Sequence, residues 1–247
     1  MSYLCTPYLY LSQMNRKDYE IMAPVGSYES LMAAINAGAD SIYFGIEGLN
    51  MRSKSANNFT TEDLHKIAAI CREHDVKSYL TVNTIIYDED LELMRKIIDS
   101  AKDADVSAII AADVAPMLYA RSIGVEVHLS TQLNITNVEA LRFYAQFADV
   151  VVLARELNMD QVAAIHKAII EEPIVGPAGE PIRIEMFAHG ALCMAVSGKC
   201  YLSLHEQGKV LTAALARRSA AAPTRSRTRR RASSLRSTTS TSCRPRI

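Results

Sequence analysis

The feature that most constrains the fold is a strict alternation of two kinds of segment. Short runs rich in Ile and Val occupy residues 20–25, 41–46, 76–82, 106–112, 125–129, 149–153 and 182–187. They are nearly continuously apolar, as strands buried on both faces must be. Between them lie stretches 28–37, 61–74, 89–104, 114–123, 137–147 and 160–170, whose apolar residues recur at helical spacing. In 89–104, for example, Leu91, Leu93, Met94, Ile97 and Ile98 follow that period, and Thr61-Glu-Asp is a helix-start signal. Strand then helix, repeated without interruption, implies a parallel sheet joined by right-handed crossovers.

Two architectures satisfy that order. A doubly wound open sheet gathers its functional polar residues at one switch point. A barrel distributes them over the C-terminal ends of many strands. Here Gly26, Gly45, Asn83, Asp113, Gln132 with Asn134, Arg155 with Glu156, and His189 follow successive strands. The reading is therefore an α/β fold, a (β/α) TIM-barrel-like domain over residues 19–209. About seven parallel strands are present, and the barrel is incomplete at its C-terminal side.

Net charge is zero over the 247 residues, but it is unevenly placed. From Val210 to Ile247 there are ten Arg and no Lys, Asp or Glu, which leaves 17 basic against 27 acidic residues before Val210. Residues 210–247 are Ala, Arg, Ser, Thr and Pro with almost no apolar period, so they are expected to be a disordered basic tail. They read like a GC-rich coding region translated out of frame. Residues 1–18 are expected to be an N-terminal extension, with Met14 a more natural start than Met1. No stretch is long and apolar enough to cross a bilayer, so no membrane partner is expected. Five Cys at irregular spacing, without an export signal, point to a reducing cytoplasm.

The most informative segment runs from Glu185 to Ser203 and contains His189, Cys193 and Cys200. Two thiols seven positions apart do not have the tight spacing of a zinc knuckle. The pair could give two thiolates to an iron–sulfur cluster, which needs about four ligands. Cys193 could instead be a nucleophile served by His189, or both thiols could be buried apolar groups. Arg155, with Glu156 beside it, could clamp a carboxylate or phosphate or form a structural ion pair. Asn83, Asp113 and Gln132 are strand-end candidates for catalysis; Arg52 and Asn134 are candidates for substrate binding. His128, inside an apolar strand, reads as a satisfied core histidine. There is no phosphate loop and no dinucleotide fingerprint. The zinc-protease HExxH helix, the GxSxG elbow and a paired-aspartate site are missing as well.

The pattern Glu-x-Phe-x-x-Gly-Ala-Leu-Cys-x4-Gly-x-Cys-x-Leu-Ser, carried by Phe187, Gly190, Cys193, Gly198, Cys200 and Ser203, resembles the signature of peptidase family U32. Ala23-Pro-Val-Gly26, Gly38-Ala-Asp-Ser-Ile-Tyr43-Phe-Gly45, Ser130-Thr-Gln132 and Leu153-Ala-Arg155-Glu156 are similar to other parts of that family. The resemblance implies one of two activities. One is oxygen-independent hydroxylation of tRNA or rRNA bases, with a four-iron four-sulfur cluster and prephenate as co-substrate. The other is a collagenase-like peptidase acting on peptides. In the hydroxylating members four Cys hold the cluster, and Cys193 and Cys200 match the first two. The other two should follow about 16 or more residues after Cys200, where this chain reads Ala216-Arg217-Arg218-Ser219. The resemblance makes the chain an enzyme by ancestry and leaves room for an inactive fragment. An acidic body suits RNA phosphates poorly, and DNA is not an expected partner.

Overall fold

A computed structural model describes residues 16–46, 49, 59–190 and 195–199. Among these, seven parallel strands form one sheet: β1 (Met22–Pro24), β2 (Ser41–Phe44), β3 (Lys77–Val82), β4 (Ala108–Ala111), β5 (Val127–Leu129), β6 (Val150–Val152) and β7 (Arg183–Glu185). Six helices alternate with them: α1 (Tyr28–Asn36), α2 (Thr61–Glu73), α3 (Leu91–Asp103), α4 (Val114–Ser122), α5 (Val138–Ala145) and α6 (Met159–Glu171). The strands lie side by side in chain order, β1 to β7, all parallel. A doubly wound sheet would reverse that order. The sheet instead curls as a TIM-barrel-like half-barrel with helices on its convex side.

The helices begin and end by a repeated local rule. Ser27, Thr60, Asp113, Asn137 and Asn158 each cap a helix by accepting from a backbone N–H, and Thr60 and Asn158 complete reciprocal boxes with Asp63 and Gln161. At the other end, α1 to α4 each turn through a left-handed residue: Gly38, Asp75, Asp105 and Gly124. The next N–H then closes back onto the helix, from Ala39 to Ala34 O (3.1 Å), Val76 to Cys71 O (2.9 Å), Val106 to Ala101 O (3.0 Å) and Val125 to Ala120 O (2.9 Å). This is the Schellman closure, and it aims each helix back into the following strand.

Strands are shorter than the apolar runs that contain them. Residues 20–25 yield Met22–Pro24, and residues 182–187 yield Arg183–Glu185. Beyond the ladders, Ile46 and Leu153 form single bridges to Phe59 and Ile135.

Alternation along each strand divides the apolar residues into two clusters. The large one lies between sheet and helices and includes Leu31, Leu64, Ile67, Leu80, Ile98, Ile109, Met117, Leu141 and Ile165. Each such side chain contributes roughly 1.5–3 kcal/mol on burial. The concave side holds a smaller group, Tyr79, Ala108 and Ile110 with Met22 and Tyr43. The C-terminal side of the barrel domain beyond residue 199 and the basic tail 210–247 lie outside the described residues. Of the expected extension 1–18, Arg16 is tied to the body by donating to Asp40 (2.8 Å) and to Gly38 O (3.3 Å).

Candidate active site at the C-terminal mouth

Each strand delivers its next residues to the C-terminal rim. Asn83 follows β3 directly; it is half-buried and engaged with neighbouring groups. Asp113 caps α4 through Oδ1, which accepts from Ala115 N at 2.9 Å. Its Oδ2 accepts from Ile86 N at 3.2 Å and so fixes the loop after β3. Both carboxylate oxygens therefore hold backbone. Gln132 and Asn134 sit in a short helical turn after β5, with Asn134 in the left-handed region (φ 52°). Arg155 follows β6 and is half-buried, whereas Glu156 and His189 are exposed.

The structure brings Gln132, Asn134 and Arg155 together on one object, the segment Ala195–Lys199. Arg155 donates from Nε to Ser197 Oγ (3.1 Å) and from Nη2 to Ala195 O (2.9 Å). Asn134 Nδ2 donates to Ser197 O (3.1 Å) and to Gln132 O (2.7 Å). Gly198 has φ +76°, which disfavours any side chain, and a Cβ there would stand 3.4 Å from Gln132 Cβ. In sequence, this segment lies between Cys193 and Cys200. Those two thiols, and Arg52, lie outside the described residues. Arg155 and Glu156 do not form an ion pair with each other among the described residues; the guanidinium goes to the loop instead.

Toward the N-terminal ends, alternate strands contribute a layer of paired charges, of which Lys77 and Arg183 are about half exposed. Glu20 accepts from Lys77 Nζ (2.7 Å) and from Tyr79 OH (2.7 Å). Burial raises its pKa, but these hydrogen bonds more than offset that and hold it below the usual value. The Tyr79 ring packs 4.5 Å from that of His128. His128 is 2% exposed; its Nε2 lies 3.0 Å from Glu126 Oε1, and its Nδ1 has no partner among the described residues. It is thus a core histidine, satisfied on one nitrogen, in the barrel interior rather than under the helices. Arg183 also donates to Glu126. The His128 hydrogen bond comes first in holding the Glu126 carboxyl down to about 2, against the opposing pull of burial.

Glu185, the last residue of β7, completes the layer differently. Its Oε2 is buried with no partner among the described residues. Burial, and then the nearby Glu20 carboxylate, push its pKa up to about 7. Glu185 was visible in the sequence as the first residue of the two-thiol segment. Its burial was not, because it follows from how far the sheet curls. A shallow cavity lined by Glu126, Asp149, Glu180, Pro181 and Arg183 opens at the opposite, N-terminal end of the strands. That end of a barrel serves stability, so the candidate site remains the mouth. Among the described residues no cluster of three or more His, Cys, Asp or Glu is placed to hold a metal.

Parallel strands in chain order, polar residues at their C-terminal ends and a loop anchored across them define a (β/α) TIM-barrel-like half-barrel. The chain belongs to peptidase family U32, whose family model matches residues 26–213. It is 78% identical over 193 residues to a collagenase of Porphyromonas gingivalis, a match covering 78% of this chain and 47% of that protein. It is 34% identical over 192 residues to tRNA hydroxylation protein P1 of Bacillus subtilis, covering 76% of this chain and 43% of the relative. With a 23S rRNA 5-hydroxycytidine synthase of Escherichia coli it shares 34% over 191 residues, covering 77% and 27%. The chain thus spans less than half the length of each of these relatives. Among solved structures, the U32 peptidase Mk0906 superposes with a TM-score of 0.52 at 15% identity, covering 68% of this chain and 66% of that one, which supports the fold. No helix among the described residues is long and apolar enough to cross a membrane.

Proposed function

We propose that this chain carries the barrel portion of a U32 enzyme that hydroxylates RNA bases. The observation that supports the reading best is the anchoring of Ala195–Lys199 on the mouth by Arg155 and Asn134. A loop flanked by two thiols and bound over a barrel mouth is a way to present paired sulfur ligands where barrels do chemistry. An iron–sulfur cluster would supply the electron-transfer chemistry when bound. The residues of this chain do not complete such a site. Cys193 and Cys200 give two of about four ligands, and Cys243 is the one later thiol in the sequence. No chemical step is therefore assigned to a cluster here. The residues of the chain itself place Asn83 and Gln132 at the mouth, hold the loop, and raise the Glu185 carboxyl pKa to about 7, so that it is protonated well above the usual carboxylate range.

The peptidase reading is favoured by one specific observation, the 78% identity to a protein named collagenase. Against it, His189 is exposed, both oxygens of Asp113 hold backbone, and the described residues assemble no nucleophile–base pair at the mouth.

One experiment separates the two. The segment after Lys209 is replaced by the corresponding segment of the Porphyromonas gingivalis relative, and the protein is purified anaerobically. The hydroxylase reading expects bound iron and sulfide, and an added oxygen on RNA nucleosides by mass spectrometry in a host lacking its own hydroxylase. No iron and unmodified RNA, together with gelatin cleavage lost in Cys193→Ala, would establish the peptidase instead.

A further inference from the structure

We infer that Glu185 is a base-reading residue: its carboxyl pairs, as the neutral acid, with the donor–acceptor edge of a pyrimidine. The inference rests on the proposed action on RNA bases and names the group that recognises them. Glu185 is the last residue of β7, at the C-terminal end of the strand, in register with Val152 of β6. Ile184 packs into the large cluster between sheet and helices, so alternation turns Arg183 and Glu185 to the concave side. There Arg183 donates to Glu126, whereas Oε2 of Glu185 is buried with no partner among the described residues.

The other charged and titratable groups of the concave side are committed elsewhere. Both oxygens of Glu20, just before β1, are taken at 2.7 Å by Lys77 Nζ and Tyr79 OH of β3. Tyr43 of β2 packs with Tyr79. His128 of β5 and Arg183 share Glu126. Arg155, beyond β6, is turned onto Ala195 and Ser197, and β6 itself sets the apolar Val152 beside Glu185. A carboxyl shut from water, without a donor and with the Glu20 carboxylate nearby, keeps its proton. Its pKa accordingly rises to about 7.

A neutral carboxyl is an O–H donor beside a carbonyl acceptor. It closes two hydrogen bonds only on a partner whose own donor and acceptor lie side by side. The Watson–Crick edge of uracil, N3–H next to the 4-carbonyl, is such a partner, and enzymes that act on bases read that edge. A single peptide unit is not, because its trans geometry points N–H and C=O in opposite directions. No hydrogen bond holds Oε2, so the carboxyl can turn about its last, broad torsion to meet the base. Pairing then gives the buried oxygen the partner that the fold withholds.

The test titrates uridine into the full 247-residue chain and follows saturable shifts of the nucleoside's NMR signals. Affinity is expected to fall about tenfold from pH 6 to pH 8, as the carboxyl ionises through its pKa of about 7. Glu185→Gln keeps a donor beside an acceptor, so it should bind uridine equally at both pH values. Glu185→Ala, and N3-methyluridine with the unsubstituted chain, should each lose about tenfold or more in affinity. The glutamine variant covers the case in which Glu185→Ala fails to fold. No saturable uridine binding overturns the inference, and so does N3-methyluridine bound as well as uridine. A glutamine variant that keeps the pH dependence assigns it to another group and overturns the inference too. A gelatin peptide that binds with the same dependence on Glu185 does likewise and favours the peptidase. If the protein with the relative's C-terminal segment holds no iron, the hydroxylase reading falls and the uridine result stands. If it modifies RNA while uridine ignores Glu185, the inference falls alone.

Discussion

The mouth and the floor of this half-barrel are built on opposite principles. The floor is ionic: Glu20 with Lys77 and Tyr79, and Glu126 with His128 and Arg183, close a charged layer supplied by alternate strands. The mouth is made of amides, a left-handed turn, and an arginine whose partners are a backbone carbonyl and a serine hydroxyl. These pairs tie alternate strands together at their N-terminal ends, with Lys77 and Arg183 about half exposed. At the mouth the Arg155 guanidinium meets a hydroxyl and a carbonyl, with no carboxylate paired to it among the described residues. Glu185 lies between the two regimes, an acidic side chain in the charged layer whose Oε2 has no partner among the described residues.

The sharpest way to break this contrast is at the floor. Glu126→Ala leaves the buried His128 Nε2 and the half-exposed Arg183 without their shared acceptor, and should cost about 1–3 kcal/mol as an unsatisfied buried polar group does, read by chemical denaturation at neutral pH. A loss below about 1 kcal/mol would mean that the layer is solvated and structurally idle.

Glu185 gives the next largest effect, and its sign is opposite. Its folded pKa of about 7 lies above the ordinary carboxylate value, so the folded protein binds a proton the unfolded chain has released. Stability is therefore full below about pH 4 and declines as pH rises to about 7, by at most ~3 kcal/mol at about 1.4 kcal/mol per unit and less after solvent screening. Glu185→Gln should flatten that decline and stabilise the protein at pH 8, with no gain at pH 4. Thermal melts across this range decide it; a variant whose melting point tracks the parent at every pH removes the claim.

At the mouth, Asp113→Ala should lose the cap of α4 and the tie to Ile86, together about 1–2 kcal/mol. Asp113→Asn, which keeps an acceptor for the cap, should lose less. If both variants lose activity equally while differing in stability, Asp113 has a chemical role beyond holding backbone. The smallest effect is Gly198→Ala, about 1 kcal/mol from the left-handed backbone. It should show as faster proteolysis near residue 198 with an unchanged global melt.

Much of the fold was legible from local pattern. Ile/Val runs and amphipathic stretches fix the strand–helix order because period and burial are properties of neighbouring residues. The Thr61-Glu-Asp signal marked the start of α2, whose cap lies one residue earlier at Thr60. Choosing a barrel over a doubly wound sheet rested on where polar residues fell, and the consecutive strand order agrees. The site was legible as a list of strand-end residues, but not as an arrangement. Arg155 and Asn134 are separate from the 195–199 segment by 40 residues or more in sequence, and only the curl of the sheet brings them to it. The role of Asp113 in holding Ile86 and the isolation of Glu185 share that cause.

What the sequence determined by itself is periodic: which segments are strands, which are helices, and which residues arrive at the mouth. What the tertiary structure alone decided is pairing at a distance: which charges meet across the concave face, which carboxylate is left over, and what the arginine at the end of β6 holds. The reason is that backbone period and capping are set within a turn or two of chain. The partner of an inward side chain depends on strand order and curvature, which no short window of residues contains.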